Sequence, residues 1–325
     1  MEFVRVVMGE SFQIGLTLPP NQGVGTGNLR TAQRWARIFS ELGHQVSIFG
    51  QEDSLDCEVL IALNAVKSAE AIARFRREKP TGKLIVAITG TDMNRREDSL
   101  WKESLAAADK LVLLQNKALE VLRPEEREKA HVIIQSVALP QNLSLPGSNE
   151  GFQVCVVGHL RKEKAPLMTA MASRLLDEES RVQVLQAGAI LEEEFTGAVT
   201  MERQLNPRFQ WLGELSKKEA LDLIAQSDLM VLSSESEGGP GVIGEAVTIG
   251  TPILSTCIDG VVGLLGEDFP GYFEPGDVMA LSQLLKRAEK DSAFYRELKR
   301  AGAAKTELFR PEKEMECWRQ LLASL

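Results

Sequence analysis

The sequence predicts an α/β protein built from two doubly wound parallel sheets, and three observations lead to that class. Short apolar runs of strand length alternate with longer segments of helical period, and the alternation occurs twice. A turn-rich segment without periodicity, Pro140-Gln141-Asn142-Leu143-Ser144-Leu145-Pro146-Gly147-Ser148-Asn149, separates the two runs. A chain of 325 residues is also long for a single hydrophobic core. The expected domains are residues 1–150 and 151–325, joined by one linker and facing an interdomain cleft.

In the first domain, residues 12–18 form the first expected strand, and residues 1–10 an extra strand or arm. A glycine-rich loop follows, Pro19-Pro20-Asn21-Gln22-Gly23-Val24-Gly25-Thr26-Gly27-Asn28. The next helix starts near Thr26 or Asn28 and presents Leu29, Ala32, Trp35, Ala36 and Phe39 on one face. Gly43 ends it, and residues 46–49 begin the next strand. Gly23-x-Gly25-x-Gly27 is not GxGxxG, and no acidic residue ends the second strand, so dinucleotide binding has little support. The alternation continues with strand 59–63, helix 68–79, strand 84–88, helix 99–107, strand 111–114 and strand 132–134. Ligands of parallel sheets bind beyond the carboxyl ends of the strands. One rim should therefore carry residues 64–68, residues 89–92, Gln115, Gln135 and Ser136.

The second domain starts with strand 152–157 and continues through helix 165–176, strand 182–186, helix 191–205, strand 209–212, helix 217–225 and strand 229–232. A glycine-rich loop then enters a helix at Pro240 or Gly241, which Gly250 ends. Strand 252–255, an irregular glycine-rich piece and helices 277–290, 294–307 and 311–325 complete the chain.

Composition narrows the function classes. Apolar residues make up 44% and charged residues 26%, the balance of an ordinary soluble globular protein. The first 150 residues carry 18 basic and 19 acidic side chains and the remainder 19 and 27, so neither half has the basic surface of a nucleic-acid binder. Cys57, Cys155, Cys257 and Cys317 form no CxxC pair; Cys155 and Cys257 sit in strand-like runs, as buried reduced thiols of a cytosolic protein do. His44, His131 and His159 show no zinc-ligand spacing, and His44 and His131 are expected to be turn and packing residues. No apolar run approaches the length of a spanning helix, and the first residues lack a signal-peptide core, so a cytoplasmic location without membrane contact is expected. Arg74, Arg76, Arg77, Lys79 and Lys83 are better explained as a solvated helix end than as a contact for membrane or an anionic acceptor.

Two stretches of the second domain carry chemistry. At Ser233–Pro252 a strand runs through a glycine-rich loop into a helix start, whose free N–H groups suit a phosphate. Glu237 and Glu245 flank the turn eight residues apart, roughly 12 Å at helical rise. Paired glycosidase carboxylates lie only about 5 to 9.5 Å apart, so these two suit one long ligand gripped at two places, such as a sugar nucleotide. The plainer alternative makes Glu245 an ordinary helix residue and Glu237 a partner of the helix dipole. The second stretch is Gly158-His159-Leu160-Arg161-Lys162-Glu163-Lys164-Ala165-Pro166, at the end of that domain's first strand. Lys164 is the candidate diphosphate clamp, with His159 or Arg161 as a second donor; the alternative is a solvated charged turn.

Ser234 through Pro252 resembles the donor motif of GT-B glycosyltransferases of the family 4 type, S-x-x-E-G followed by E-A-x-x-x-G-x-P. The resemblance implies two Rossmann-like domains, with Glu237 on the sugar, Glu245 on the ribose, and Gly238, Gly239 and Gly241 near sugar and phosphates. Leu212 and Gly213 match the piece that holds the base. Gly158-His159-Leu160 and Lys164 match G-R-L-x-x-x-K, with His159 where an arginine is usual.

The pattern is narrower still and resembles the selenosugar synthases of selenoneine biosynthesis. Thr26-Gly27-Asn28, Thr31-Ala32, Arg34-Trp35, Lys67-Ser68-Ala69, Thr89-Gly90-Thr91-Asp92, the run Val132 to Ser136 and the run Ile258 to Gly266 carry it. That implies transfer of N-acetylglucosamine or glucose from a UDP-sugar to selenophosphate. The implied acceptor set is Thr26, Gly27, Asn28, Thr31, Arg34, Lys67, Ser68, Thr91, Asp92, Gln135 and Ser136. Glu237 and Lys164 are the implied catalytic residues. Asp92 is a base candidate, or a group that orients the acceptor or caps its helix. Asn64 departs from the relatives, which carry histidine there. No cofactor beyond the two substrates is expected, and no Asp-x-Asp pattern calls for a metal. The competing readings are a hexosyltransferase with a hydroxyl acceptor on a glycan or lipid, and a non-catalytic sugar-nucleotide sensor.

Overall fold

The computed structural model describes residues 11–20, 27–50, 53–90, 92–144 and 151–325, so the expected arm at residues 1–10 and the glycine-rich loop 21–26 lie outside it. In the first unit the elements are β1 (Gln13–Thr17), α1 (Gly27–Glu41), β2 (Gln45–Phe49), β3 (Val59–Leu63), α2 (Ala69–Glu78), β4 (Lys83–Ile88), α3 (Ser99–Ala107), β5 (Lys110–Leu113), α4 (Pro124–Arg127) and β6 (Ala130–Val132). The six strands form one parallel sheet in the order β2-β1-β3-β4-β5-β6. Both faces are covered, which is why β3 is buried at all five positions. One face sets Leu60, Ala62, Leu84, Val86 and Ile88 against Ile72, Phe75, Trp101 and Leu105. The other sets Ile14, Leu16, Ile61 and Leu63 against Trp35, Ile38 and Phe39 of α1.

The second unit contains β7 (Phe152–Val157), α5 (Met168–Ser173), β8 (Val182–Ala187), α6 (Glu194–Leu205), β9 (Phe209–Gly213), α7 (Lys217–Gln226), β10 (Leu229–Leu232), α8 (Gly241–Ile249), β11 (Ile253–Thr256), α9 (Asp259–Leu265), β12 (Tyr272–Phe273), α10 (Val278–Lys290) and α11 (Ser292–Ala303). Its sheet is also six-stranded and parallel, in the order β12-β11-β10-β7-β8-β9. The last helix, α12 (Pro311–Ala323), leaves this unit.

The division of the chain differs from the expected one. The first unit takes Met1–Ile134 and Glu312–Leu325, and the second takes Gln135–Pro311. Residues just past β6 are tied into the second unit, through Val137 N–H to the Phe309 carbonyl (2.9 Å) and Ser144 N–H to the Asp222 carboxylate (2.9 Å). In α12, Trp318 is fully buried, with its ring centroid 4.7 Å from that of Trp35 and 4.8 Å from that of Phe39. The Trp35 indole N–H donates to Glu314 at 2.9 Å. The pattern of α12 marks an apolar face but not which core will receive it.

Local corrections have local causes. The helix expected over 165–176 is confined to Met168–Ser173, because residues 162–164 form a 3₁₀ turn and Ala165 is left-handed (φ 41°). The piece expected to be irregular after β11 contains α9 and β12. The short helix α4 and the 3₁₀ turns Asp92–Arg95 and Asn116–Val121 were not anticipated. Cys57 and Cys155 are buried thiols, but Cys257 follows the end of β11 and is exposed. His44 behaves as expected, accepting from Phe12 N–H (3.2 Å) and stacking on its ring. In the basic cluster, Arg76 caps α3 by donating to the Ala107 carbonyl, Lys79 pairs with Asp56, and Arg74 donates to the Asp53 carbonyl. No helix among the described residues is long and apolar enough to cross a membrane.

Trp318→Ala removes the ring that Trp35 and Phe39 enclose and is expected to destabilise the protein by about 3–5 kcal/mol. Urea unfolding measures this, and an unchanged midpoint would show that α12 does not hold the first core.

Candidate functional site

Four loops of the second unit leave the carboxyl edge of its sheet from the neighbouring strands β10, β7, β8 and β9. Two are bound to each other. Glu235 N–H donates to the Glu163 carbonyl at 2.8 Å, and the Ser233 hydroxyl lies 3.0 Å from the carbonyls of both Lys164 and Ala165. The left-handed Ala165 turns the chain beside this contact. Held this way, the Lys164 ammonium pairs with Oε1 of Glu237, their side chains only 21% and 11% exposed. The Ser234 hydroxyl donates to the same oxygen at 2.7 Å. The two residues proposed from separate stretches of sequence thus meet as one ion pair.

The loop then enters α8. Pro240 is the cap residue without a side-chain cap bond, and Gly250 ends the helix left-handed at φ 91°, as expected. A first turn without a capping side chain leaves N–H groups for an anion. A Cβ on Gly241, Gly158 or Gly213 would meet nothing within 4 Å, so space lies open beside each of these loops. Gly260 in α9 is the opposite case. A Cβ there would lie 2.1 Å from the Glu237 carbonyl oxygen, so only glycine lets α9 pack against the backbone of Glu237.

Glu245 lies within α8 and pairs with Lys217, the first residue of α7. Lys217 was missed because nothing in its local sequence marks it; the pairing exists only through packing of α7 on α8. Near β8, Gly188 (φ 150°) sits where a Cβ would lie 2.0 Å from the Gly158 carbonyl oxygen. Gly188 N–H donates to the Gly213 carbonyl at 2.7 Å, and the Trp211 indole donates to the Gly188 carbonyl at 2.9 Å. Gly188 therefore couples the Gly158 loop to Leu212 and Gly213. His159 Nδ1 accepts from Ala189 N–H (3.2 Å), which assigns the proton of a neutral ring to Nε2. Arg161 pairs with Glu163 at 3.2 Å.

In the first unit, Asp92 is 1% exposed. Its carboxylate accepts from Ala65 N–H (2.7 Å), Thr89 N–H (3.2 Å) and Val66 N–H (3.4 Å). That geometry ties the loop after β3 to the loop after β4, and makes Asp92 a cap of both. Asn64, left-handed at φ 74°, adds bonds to the Thr89 carbonyl and from Lys67 N–H. Ser68 is buried and bonded to the Leu63 carbonyl, while Lys67 is exposed. Gly27 and Asn28 open α1, and the Thr31 hydroxyl donates back to the Gly27 carbonyl at 2.9 Å. Arg34 is half-buried, with Nη1 unpartnered among the described residues. Gln135 and Ser136 fall just past the division and are counted with the second unit. Thr26 and Thr91 lie outside the described residues.

Burial raises the Asp92 carboxyl from 3.8 to about 6, against the main-chain donors that favour its charged form. A carboxyl raised by folding contributes stability that is complete below pH 3.8 and lost as pH rises through 6. Carbon-13 NMR of the Asp92 carboxyl is expected to show a midpoint near 6; titration near 3.8 would contradict the buried cap.

Residues 144–305 match the family described as glycosyl transferases group 1. The chain is 32% identical over 111 residues to the N-acetyl-α-D-glucosaminyl L-malate synthase of Bacillus anthracis, covering 34% of this chain and 29% of that protein. It is 30% identical over 82 residues to a Bacillus subtilis glycosyltransferase named for teichuronic acid biosynthesis, covering 25% of this chain and 21% of that one. The chain thus matches less than a third of the length of these curated relatives. In fold it is similar to Anabaena HepE in complex with UDP and glucose, with a TM-score of 0.76 and 15% identity over 97% of this chain and 100% of the other. The fold is of the GT-B type, and the residues that match the group 1 glycosyltransferases, 144–305, make up most of the second unit.

Proposed function

We propose that the protein transfers a sugar, N-acetylglucosamine or glucose, from a UDP-sugar to selenophosphate and forms a carbon–selenium bond. The observation that carries the donor half is the Lys164–Glu237 pair at the carboxyl edge of the second sheet, beside the uncapped start of α8. In the reaction the bond between the anomeric carbon and the diphosphate oxygen breaks, and its electron pair leaves with UDP. A selenium lone pair of the acceptor forms the new bond. Lys164 offsets the charge that grows on the departing diphosphate, and α8 adds main-chain N–H groups. Glu237 holds the sugar, while Glu245 and the Leu212–Gly213 loop hold the nucleoside.

Asp92 supports the acceptor half. Its oxygens are taken by three main-chain donors, and it is buried. A neutral hydroxyl needs a base in or near the transition state, whereas selenophosphate is already an anion with a polarisable nucleophile. Asn28, Thr31, Arg34 and Lys67, with Gln135 and Ser136, are the proposed acceptor contacts, and Asp92 holds the loop that carries Lys67. The Bacillus anthracis relative, by its name, joins the same sugar to another small acid.

A second reading, a hexosyltransferase acting on a hydroxyl of a glycan or lipid, is favoured by the relative named for teichuronic acid biosynthesis. Incubation with selenophosphate and either UDP-N-acetylglucosamine or UDP-glucose separates the two. A selenosugar seen by mass spectrometry is the expected product. UDP release only with hydroxyl acceptors would give the second reading, and UDP binding without turnover across acceptors would make the protein a sensor.

Lys164→Ala and Glu237→Ala are each expected to lower kcat/KM by about 10²–10³-fold, the scale for losing one preorganised charge partner. Circular dichroism should remain that of the folded protein. An unchanged rate in either variant removes that residue from the donor site.

A further inference from the structure

We propose that Ser233 and Ser234 are positioning residues that divide the donor site between them, Ser233 setting the lysine and Ser234 setting the carboxylate. This rests on the donor-site reading above. Both serines are almost fully buried, at 1% and 0% exposure, and both use their hydroxyls on the site rather than on their own strand.

Ser233 acts on the main chain of the lysine. Its hydroxyl reaches the carbonyls of Lys164 and Ala165, on either side of the left-handed turn that aims the Lys164 side chain. Ser234 acts on the side chain of Glu237. Its hydroxyl shares Oε1 with the lysine ammonium, so two donors from different directions fix one oxygen and thereby the plane of the carboxylate. The carboxylate side has further support of its own. The Ser234 carbonyl accepts from the buried Thr256 hydroxyl at 2.6 Å, and Gly260 closes against the Glu237 backbone. An ion pair alone fixes a distance but leaves rotation about the side-chain bonds. The serine hydroxyls remove that freedom, and misplacement by about 1 Å can cost about a hundredfold in rate.

The two variants should therefore fail differently. In Ser234→Ala the lysine stays in place and the carboxylate loses its second donor. UDP, which lacks the sugar, should bind within about threefold of wild type by calorimetry, while kcat for UDP-N-acetylglucosamine with selenophosphate falls tenfold or more. In Ser233→Ala the lysine turn is loosened, and UDP affinity itself should fall tenfold or more. Thermal unfolding of each variant monitors the fold.

An unchanged kcat in Ser234→Ala, or parallel losses of UDP affinity, kcat and Tm in both variants, would overturn the division and leave two structural serines. Wild-type protein that binds no UDP overturns the donor-site reading itself and the inference with it. Wild-type protein that binds UDP but uses only a hydroxyl acceptor overturns the selenophosphate reading alone, and the same kcat comparison is then made with that acceptor.

Discussion

Two loops at the carboxyl edge of the second sheet are held together by their main chains, and the site depends on that bond. The Glu235 N–H reaches the Glu163 carbonyl, and Ser233 spans the next two carbonyls, so Glu163–Ala165 and Ser233–Glu235 are bonded to each other. Each loop belongs to a different strand–helix crossover, and neither is stiff by composition. Joined, they bring an ammonium and a carboxylate together at low exposure. Partial burial strengthens such a pair by excluding solvent, and makes its exact partners matter more than at a surface.

The parallel sheets explain why the site lies where it does. Within each unit the strands are parallel, so each strand delivers its following loop to the carboxyl edge of its own sheet. Glycines then decide how closely those loops approach. At Gly188 and Gly260 the neighbouring backbone occupies the place of a side chain, while at Gly158, Gly213 and Gly241 that place is open. The first group builds the edge, and the second leaves room beside it. In the first unit the same edge is organised by polar side chains instead, with Asp92 and Asn64 bonding one loop to the next.

Much of this was legible in the sequence. Both runs of alternating strands and helices, the strands Phe152–Val157 and Leu229–Leu232, the helix Ser99–Ala107 and the end of α8 at Gly250 follow from periodicity and glycine placement. Lys164 and Glu237 were legible because each stands in a charged or glycine-rich turn directly after an apolar strand. Lys217 was not, since an exposed lysine in a helix start looks like any other solvated residue. Asp92 was legible as a rim residue and a possible cap of its own helix, but not as buried or bonded to the loop after β3, because those contacts come from residues 26 and 27 positions away. The interruption at Ala165 did have a local signal that the helical period overrode, since Pro166 disfavours the right-handed helical region for the residue before it; the contact with Ser233 accompanies the left-handed turn.

The sequence by itself determined the class of fold, the direction in which every loop emerges and the residue types offered at each rim. These depend on short-range matters: period, turn chemistry and the apolar length of each strand. Tertiary structure alone decided which unit owns α12, because an amphipathic face carries no address, and the pairing of Trp318 with Trp35 and Phe39 spans nearly the whole chain. It also decided that Lys164 and Glu237, 73 positions apart, share one oxygen with Ser234. Such contacts have no local signature, since their energy comes from groups that only the sheet brings within reach.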